Sequence, residues 1–243
     1  MNTLEGRVTI VTGAAGGLGA TICDTFRRQG AVVVPVDRAG DECLHTDVGT
    51  DEGNRLMVET ALARHGRLDV LVLNAGLQHM APIPEFPEAE WDRLMNVMAK
   101  GPFLSMKHAW SALTKAPGGR ILVTASGSSF IAEPYKAAYV AAKHAVLGLV
   151  RVAALEGASL GLTVNAVAPG WMLTPMAENQ LEDQMRLHGL TREQVVEKML
   201  AYQPGKRFIE TREVAELLAF LAGPAASGIN GACIPIDLGS TAS

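Results

Sequence analysis

The chain has 243 residues, of which 48% are hydrophobic and 19% charged, with a formal net charge of −4. That length and apolar content can bury a sizeable core within a single α/β unit, and the acidic balance argues against nucleic acid as a partner. The three cysteines, Cys23, Cys43 and Cys233, lack metal-ligand spacing, no apolar run reaches the about 18 residues of a membrane span, and no basic-then-apolar leader is evident, so a cytoplasmic protein with reduced thiols, no metal and no membrane is expected.

In chain order, Val8-Thr9-Ile10-Val11 is a short β-branched apolar run and reads as a buried strand. The turn Thr12-Gly13-Ala14-Ala15-Gly16-Gly17-Leu18-Gly19 follows, and Ala20 to Arg28 then runs at helical period. Strand, glycine turn and helix in that order set backbone N–H groups and a helix N-terminus where a pyrophosphate can sit. A second strand, Ala31 to Val36, ends at Asp37, about 20 residues beyond the glycines, where a carboxylate accepts hydrogen bonds from an adenosine ribose and repels a 2′-phosphate. That favours NAD over NADP, although the adjacent Arg38 blunts the preference.

Only nine residues separate Asp37 from Asp47. A parallel crossover usually takes a dozen or more, so a short loop from Arg38 to Thr46 is expected in place of a helix. Leu68 to Leu73 reads as a further strand. Tyr139 and Lys143 stand four residues apart on an expected helix and share a face. A neighbouring cation stabilises a phenolate, and moving a Tyr from about 10 to about 7 takes roughly 4 kcal/mol. So tuned, the phenol can exchange protons near neutrality. Residues 176–202 read as a pair of amphipathic helices able to close over a substrate, with Gly189 ending the first and Thr191-Arg192-Glu193-Gln194 capping the second. No repeat or linker divides the chain, and residues 1–243 are expected to form one doubly wound parallel sheet with helices on both faces.

These segments together resemble the short-chain dehydrogenase/reductase family, from end to end of the chain. Thr12 to Gly19 is similar to its TGxxxGxG turn, Asn74-Ala75-Gly76 to its NAG signature, and Tyr139 to Lys143 to its YxxxK pair. Ser126 stands thirteen residues before Tyr139, as the family's catalytic serine does. The resemblance implies a catalytic set of Ser126, Tyr139 and Lys143. It implies cofactor contacts from Gly13, Ala15, Gly17, Leu18, Gly19, Asp37 and Arg38, from Asp47 and Val48 beside the adenine, and from Asn74, Ala75 and Gly76. Tyr139 and Lys143 also reach the cofactor, while Pro169, Gly170, Met172 and Thr174 flank the nicotinamide. A homotetramer is implied as well.

Within the family, the segments around Gln78, Tyr139 and Trp171 look like those of the 3-hydroxybutyrate dehydrogenases. That likeness implies a pocket for a carboxylate-bearing secondary alcohol or its ketone: Lys136 as the cation, Gln78 and Gln180 as amide donors, and Trp171 as the apolar wall. Three positions depart from the pattern. Met98 stands where the family has an active-site Asn, Ser128 where the branch has a His, and Ser240 where it has a Trp. The last two changes enlarge the pocket and admit a bulkier or cyclic secondary alcohol, as in dihydrodiol dehydrogenases. Met98 also keeps open an inactive nucleotide-binding paralogue.

Overall fold

In the computed structural model, which describes residues 3–242, seven parallel strands build one sheet. They are β1 (Val8–Thr12), β2 (Val32–Asp37), β3 (Leu44–His45), β4 (Val70–Leu73), β5 (Arg120–Thr124), β6 (Thr163–Pro169) and β7 (Cys233–Ile236). Their order is β3-β2-β1-β4-β5-β6-β7. Every residue of β1, β4, β5 and β6 is buried, as expected of strands covered on both faces. The order reverses direction between β1 and β4, and in such sheets the crevice at the carboxyl ends of the reversing strands is where ligands sit.

Two apolar layers cover the sheet. On one face α1 (Gly17–Arg28) packs against α8 (Thr211–Ala222). Leu18, Ile22 and Phe26, four residues apart, supply the buried stripe of α1. On the other face lie α2 (Asp51–His65), α4 (Gly101–Lys115) and α5 (Ala137–Ala158). α3 (Glu88–Met95) leans on α5. At 22 residues α5 is long and apolar enough, by length and composition, to cross a membrane, contrary to the reading that no run qualifies. Its apolarity has another cause: it packs on β6 and α3, burying Ala138, Ala142, Val146 and Val150.

The connection from β2 to β3 holds no helix, as expected from its length. β3 contributes two residues, which pair with Val36 and Asp37. The helical pair also forms: α6 (Pro175–His188) ends at Gly189, whose φ is 64°, and α7 (Arg192–Ala201) opens with a capping box between Thr191 and Gln194. A Cβ on Gly189 would meet nothing within 4 Å, so only its left-handed backbone excludes other residues. Gly189→Ala should therefore cost about 1 kcal/mol and lower the melting temperature by roughly 2–4 °C; an unchanged calorimetric midpoint would contradict this.

Candidate active site

The glycine turn is shaped by crowding. Gly13 has a φ of 67°, and a Cβ there would come 2.8 Å from the Ala75 Cα; a Cβ on Gly19 would fall on the Gly13 carbonyl oxygen. No side chain caps the N-terminus of α1, which leaves its positive end to an anion. Asp37 reaches back into this turn. Its Oδ2 accepts from the Ala15 N–H at 3.0 Å and its Oδ1 from the Arg38 N–H at 2.6 Å. A cradle that tolerates no Cβ, an uncapped helix end and a fixed carboxylate together suit a dinucleotide. The sequence-expected contacts divide here. Gly13, Gly17, Leu18, Gly19, Asp37, Asn74 and Gly76 line a cavity of about 300 Å³. Ala15, Arg38, Asp47, Val48 and Ala75 do not line it. Asp47 and Val48 build the turn into α2: Asp47 Oδ1 accepts from the Gly49 N–H at 2.8 Å and the Val48 carbonyl from Asn54 Nδ2 at 2.7 Å.

A second cavity of about 640 Å³ adjoins the first. Ser126, Tyr139, Pro169, Gly170, Met172 and Thr174 line both, so the two spaces meet at the Ser126–Tyr139 pair. The five residues expected to touch substrate, Gln78, Ser128, Lys136, Trp171 and Gln180, all line the larger cavity.

The proton-handling pair departs from expectation. The Tyr139 phenol is hydrogen-bonded to Ser126, yet its pKa lies above the ordinary value: burial raises it, the Ser126 bond opposes, and the Glu133 charge adds to the rise. Lys143 does not offset this. Its Nζ lies 5.6 Å from the Tyr139 ring centroid and donates to the Thr124 carbonyl at 2.6 Å. Burial pulls the Lys143 ammonium down to about 8. The helical i, i+4 spacing brings both side chains to the site, but the carbonyl at the end of β5 claims the cation.

Sequence reading missed two residues that shape the larger cavity. Glu133 accepts from Lys136 Nζ at 2.8 Å through Oε2 and from Ser128 Oγ through Oε1. Glu133 precedes α5, which begins at Ala137, so no helical spacing signals its pairing with Lys136. Gln203, fully buried, holds Trp171 by accepting its N–H at 2.7 Å while donating to the Arg207 carbonyl at 2.6 Å. Lys136 is 3% exposed and sits 4.2 Å above the Trp171 ring centroid; burial lowers its pKa, against the opposing pull of Glu133.

Met98 occupies a π-helical turn, Asn96–Lys100, between α3 and α4. Its side chain is buried with Leu94, Ala138 and Ala142, and its sulfur accepts from the Leu77 N–H at 3.5 Å. The thioether thus fills a core position rather than leaving a gap.

A family model described as "Enoyl-(Acyl carrier protein) reductase" matches residues 13–241. The chain is 38% identical to the uncharacterized oxidoreductase YxjF of Bacillus subtilis, covering 97% of this chain and 98% of that protein. It is 37% identical to the D-beta-hydroxybutyrate dehydrogenase of Rhizobium meliloti, covering 97% and 99%. The crystal structure of levodione reductase superposes with a TM-score of 0.93 at 28% identity, covering 99% of each chain.

Two outcomes follow from these environments. Met98→Asn should destabilise the fold by about 2–3 kcal/mol, because an amide replaces a buried thioether; urea unfolding reads this directly. Lys143 binds its proton less tightly folded than unfolded, so between pH 8 and 10.5 the unfolded chain holds more protons and stability rises with pH. That rise should be absent from the stability curve of Lys143→Met, and a curve as steep in the variant as in the wild type would refute the assignment.

Proposed function

We propose that this chain, which belongs to the short-chain dehydrogenase/reductase family and acts on CH–OH donors, interconverts a secondary alcohol and its ketone with NAD. The observation that carries the reading is the seam of the two cavities, where Ser126 and Tyr139 face both spaces. The family binds nicotinamide cofactors. The cradle of Gly13 and Gly19, the N-terminus of α1, Asp37 and Asn74 would hold one. When bound, the nicotinamide supplies the acceptor for the carbinol hydride.

The chain's own residues manage the proton. In oxidation, Tyr139 takes the hydroxyl proton of the substrate, and Ser126 donates to the substrate oxygen as charge develops. Lys143, its ammonium held by the Thr124 carbonyl, would donate to the nicotinamide ribose. The raised pKa of Tyr139 in the protein alone means that the phenolate needs a further positive charge, which an oxidised nicotinamide would supply. Asp37 favours NAD because a 2′-phosphate beside this carboxylate would be repelled.

A hydroxy acid is the substrate class that the sequence resemblance implies, and the relative named D-beta-hydroxybutyrate dehydrogenase supports it. Two observations favour something bulkier than hydroxybutyrate: the 640 Å³ cavity, and Ser128 and Ser240 in its wall. α6 and α7, which supply Gln180, Gln184 and Met199 to that wall, act as the lid that excludes water. Exposed Phe103, Val152 and Leu155 support self-association, read as a homotetramer, and the three free cysteines support a cytoplasmic setting.

Tyr139→Phe should reduce turnover by at least about a hundredfold while NADH still binds, measured as NADH formation from a panel of secondary alcohols beside NADH fluorescence titration. Turnover near that of the wild type would overturn the reading.

A further inference from the structure

Glu133 changes what the larger cavity can accept. Lys136, the one cation of the expected carboxylate site, already has its charge matched, with Nζ donating to Glu133 Oε2 at 2.8 Å and stacked over Trp171. The other Glu133 oxygen accepts from Ser128 Oγ, which fixes the carboxylate against the wall. A substrate carboxylate brought to Lys136 would place two negative charges around one buried cation, among apolar neighbours such as Trp171 and Met176. Like charges so placed repel, and each loses hydration on entry.

A hydroxyl meets the same groups without that conflict. It can donate to Glu133 and accept from the remaining Lys136 protons. Gln78 offers a further donor: its Oε1 accepts from the His79 N–H at 3.2 Å, which orients the amide, and its Nε2 is buried without a partner. Across the cavity the Gln180 Oε1 is also buried and unpartnered. Donors and acceptors both stand ready, which suits an O–H and not an oxyanion that only accepts.

We propose that Glu133 is a specificity-determining residue that selects an uncharged secondary alcohol bearing a second hydroxyl over a hydroxy acid of the same size. The inference rests on the dehydrogenase reading above and departs from the hydroxy acid that the sequence resemblance implies. Its test uses two matched pairs, each differing only in carboxylate against hydroxymethyl: 3-hydroxybutyrate with butane-1,3-diol, and 3-hydroxycyclohexanecarboxylate with 3-(hydroxymethyl)cyclohexanol. The wild type should prefer the diol of each pair in kcat/KM by about tenfold, and Glu133→Gln should lower KM for the acids by about tenfold with a smaller change in kcat. The Glu133→Gln/Lys136→Met double variant should lose that gain, because the freed cation is then absent. A merely structural role would move acid and diol alike. Should Glu133→Gln not fold, the wild-type preference and Ser128→Ala, which removes one anchor of Glu133, decide the matter. Preference for the acids, or equal shifts for both members of a pair, overturns the role of Glu133 while leaving the dehydrogenase reading intact. Absence of NADH formation from all four compounds, with NADH still bound, overturns that reading and this inference with it.

Discussion

The site depends on one polar knot at the carboxyl ends of the central strands. Thr12 Oγ1 accepts the N–H groups of Asn74 and Ala75 at 2.9 and 3.1 Å, tying β1 to the loop after β4. Asn74 returns the tie, its Nδ2 donating to the Thr12 and Gly13 carbonyls at 3.1 and 3.2 Å. Its Oδ1 accepts from Thr124 Oγ1 at 3.2 Å, and the Thr124 carbonyl in turn takes Lys143. Four elements are thus joined through two short side chains and one amide, each buried polar group satisfying another. The glycine turn on one side and the cation on the other hold their places because this chain of bonds spans the strand-order reversal.

The two cavities follow from that geometry. Asn74, Thr124 and Lys143 of the knot line the smaller cavity, and Ser126 and Tyr139 stand at the edge it shares with the larger. Under the proposed function, a phenol and a hydroxyl at such an edge would face cofactor and substrate alike. The larger space is then free to vary in its far wall, where Gln203 secures Trp171 and α6 and α7 close the perimeter. Under the proposed function, chemistry and selectivity would be carried by separate parts of the molecule.

Much of this was legible in the sequence, for a physical reason. Gly13, Gly19, Asn74 and the Tyr139–Lys143 spacing answer to local backbone requirements, and such requirements leave marks at fixed offsets. The missing helix after Asp37 could be read by counting residues. What escaped was set by neighbours distant along the chain. The Tyr139 pKa turns on burial and on Thr124 taking the Lys143 ammonium, and neither is written in the YxxxK spacing. Met98 reads as a lost amide in the sequence, yet it is a packed thioether, because a π turn carries it into the apolar cluster beneath α5. Glu133 lies outside any motif, and only the start of α5 brings Lys136 onto it.

The shortened crossover has a consequence at the margin of the sheet. β3 covers only Val36 and Asp37, so the earlier part of β2 keeps an open outer edge. The Val32 N–H and the Val36 carbonyl point inward to β1 partners, whereas the Asp37 carbonyl accepts from Thr46 on the outer side. Alternation along a strand then puts Val33 and Pro35 on that outer side too. Proline has no N–H to offer, so the position where an incoming strand would seek a donor is blank. The chain gave up a covering helix and kept, in one imino acid, a guard against edge-to-edge aggregation.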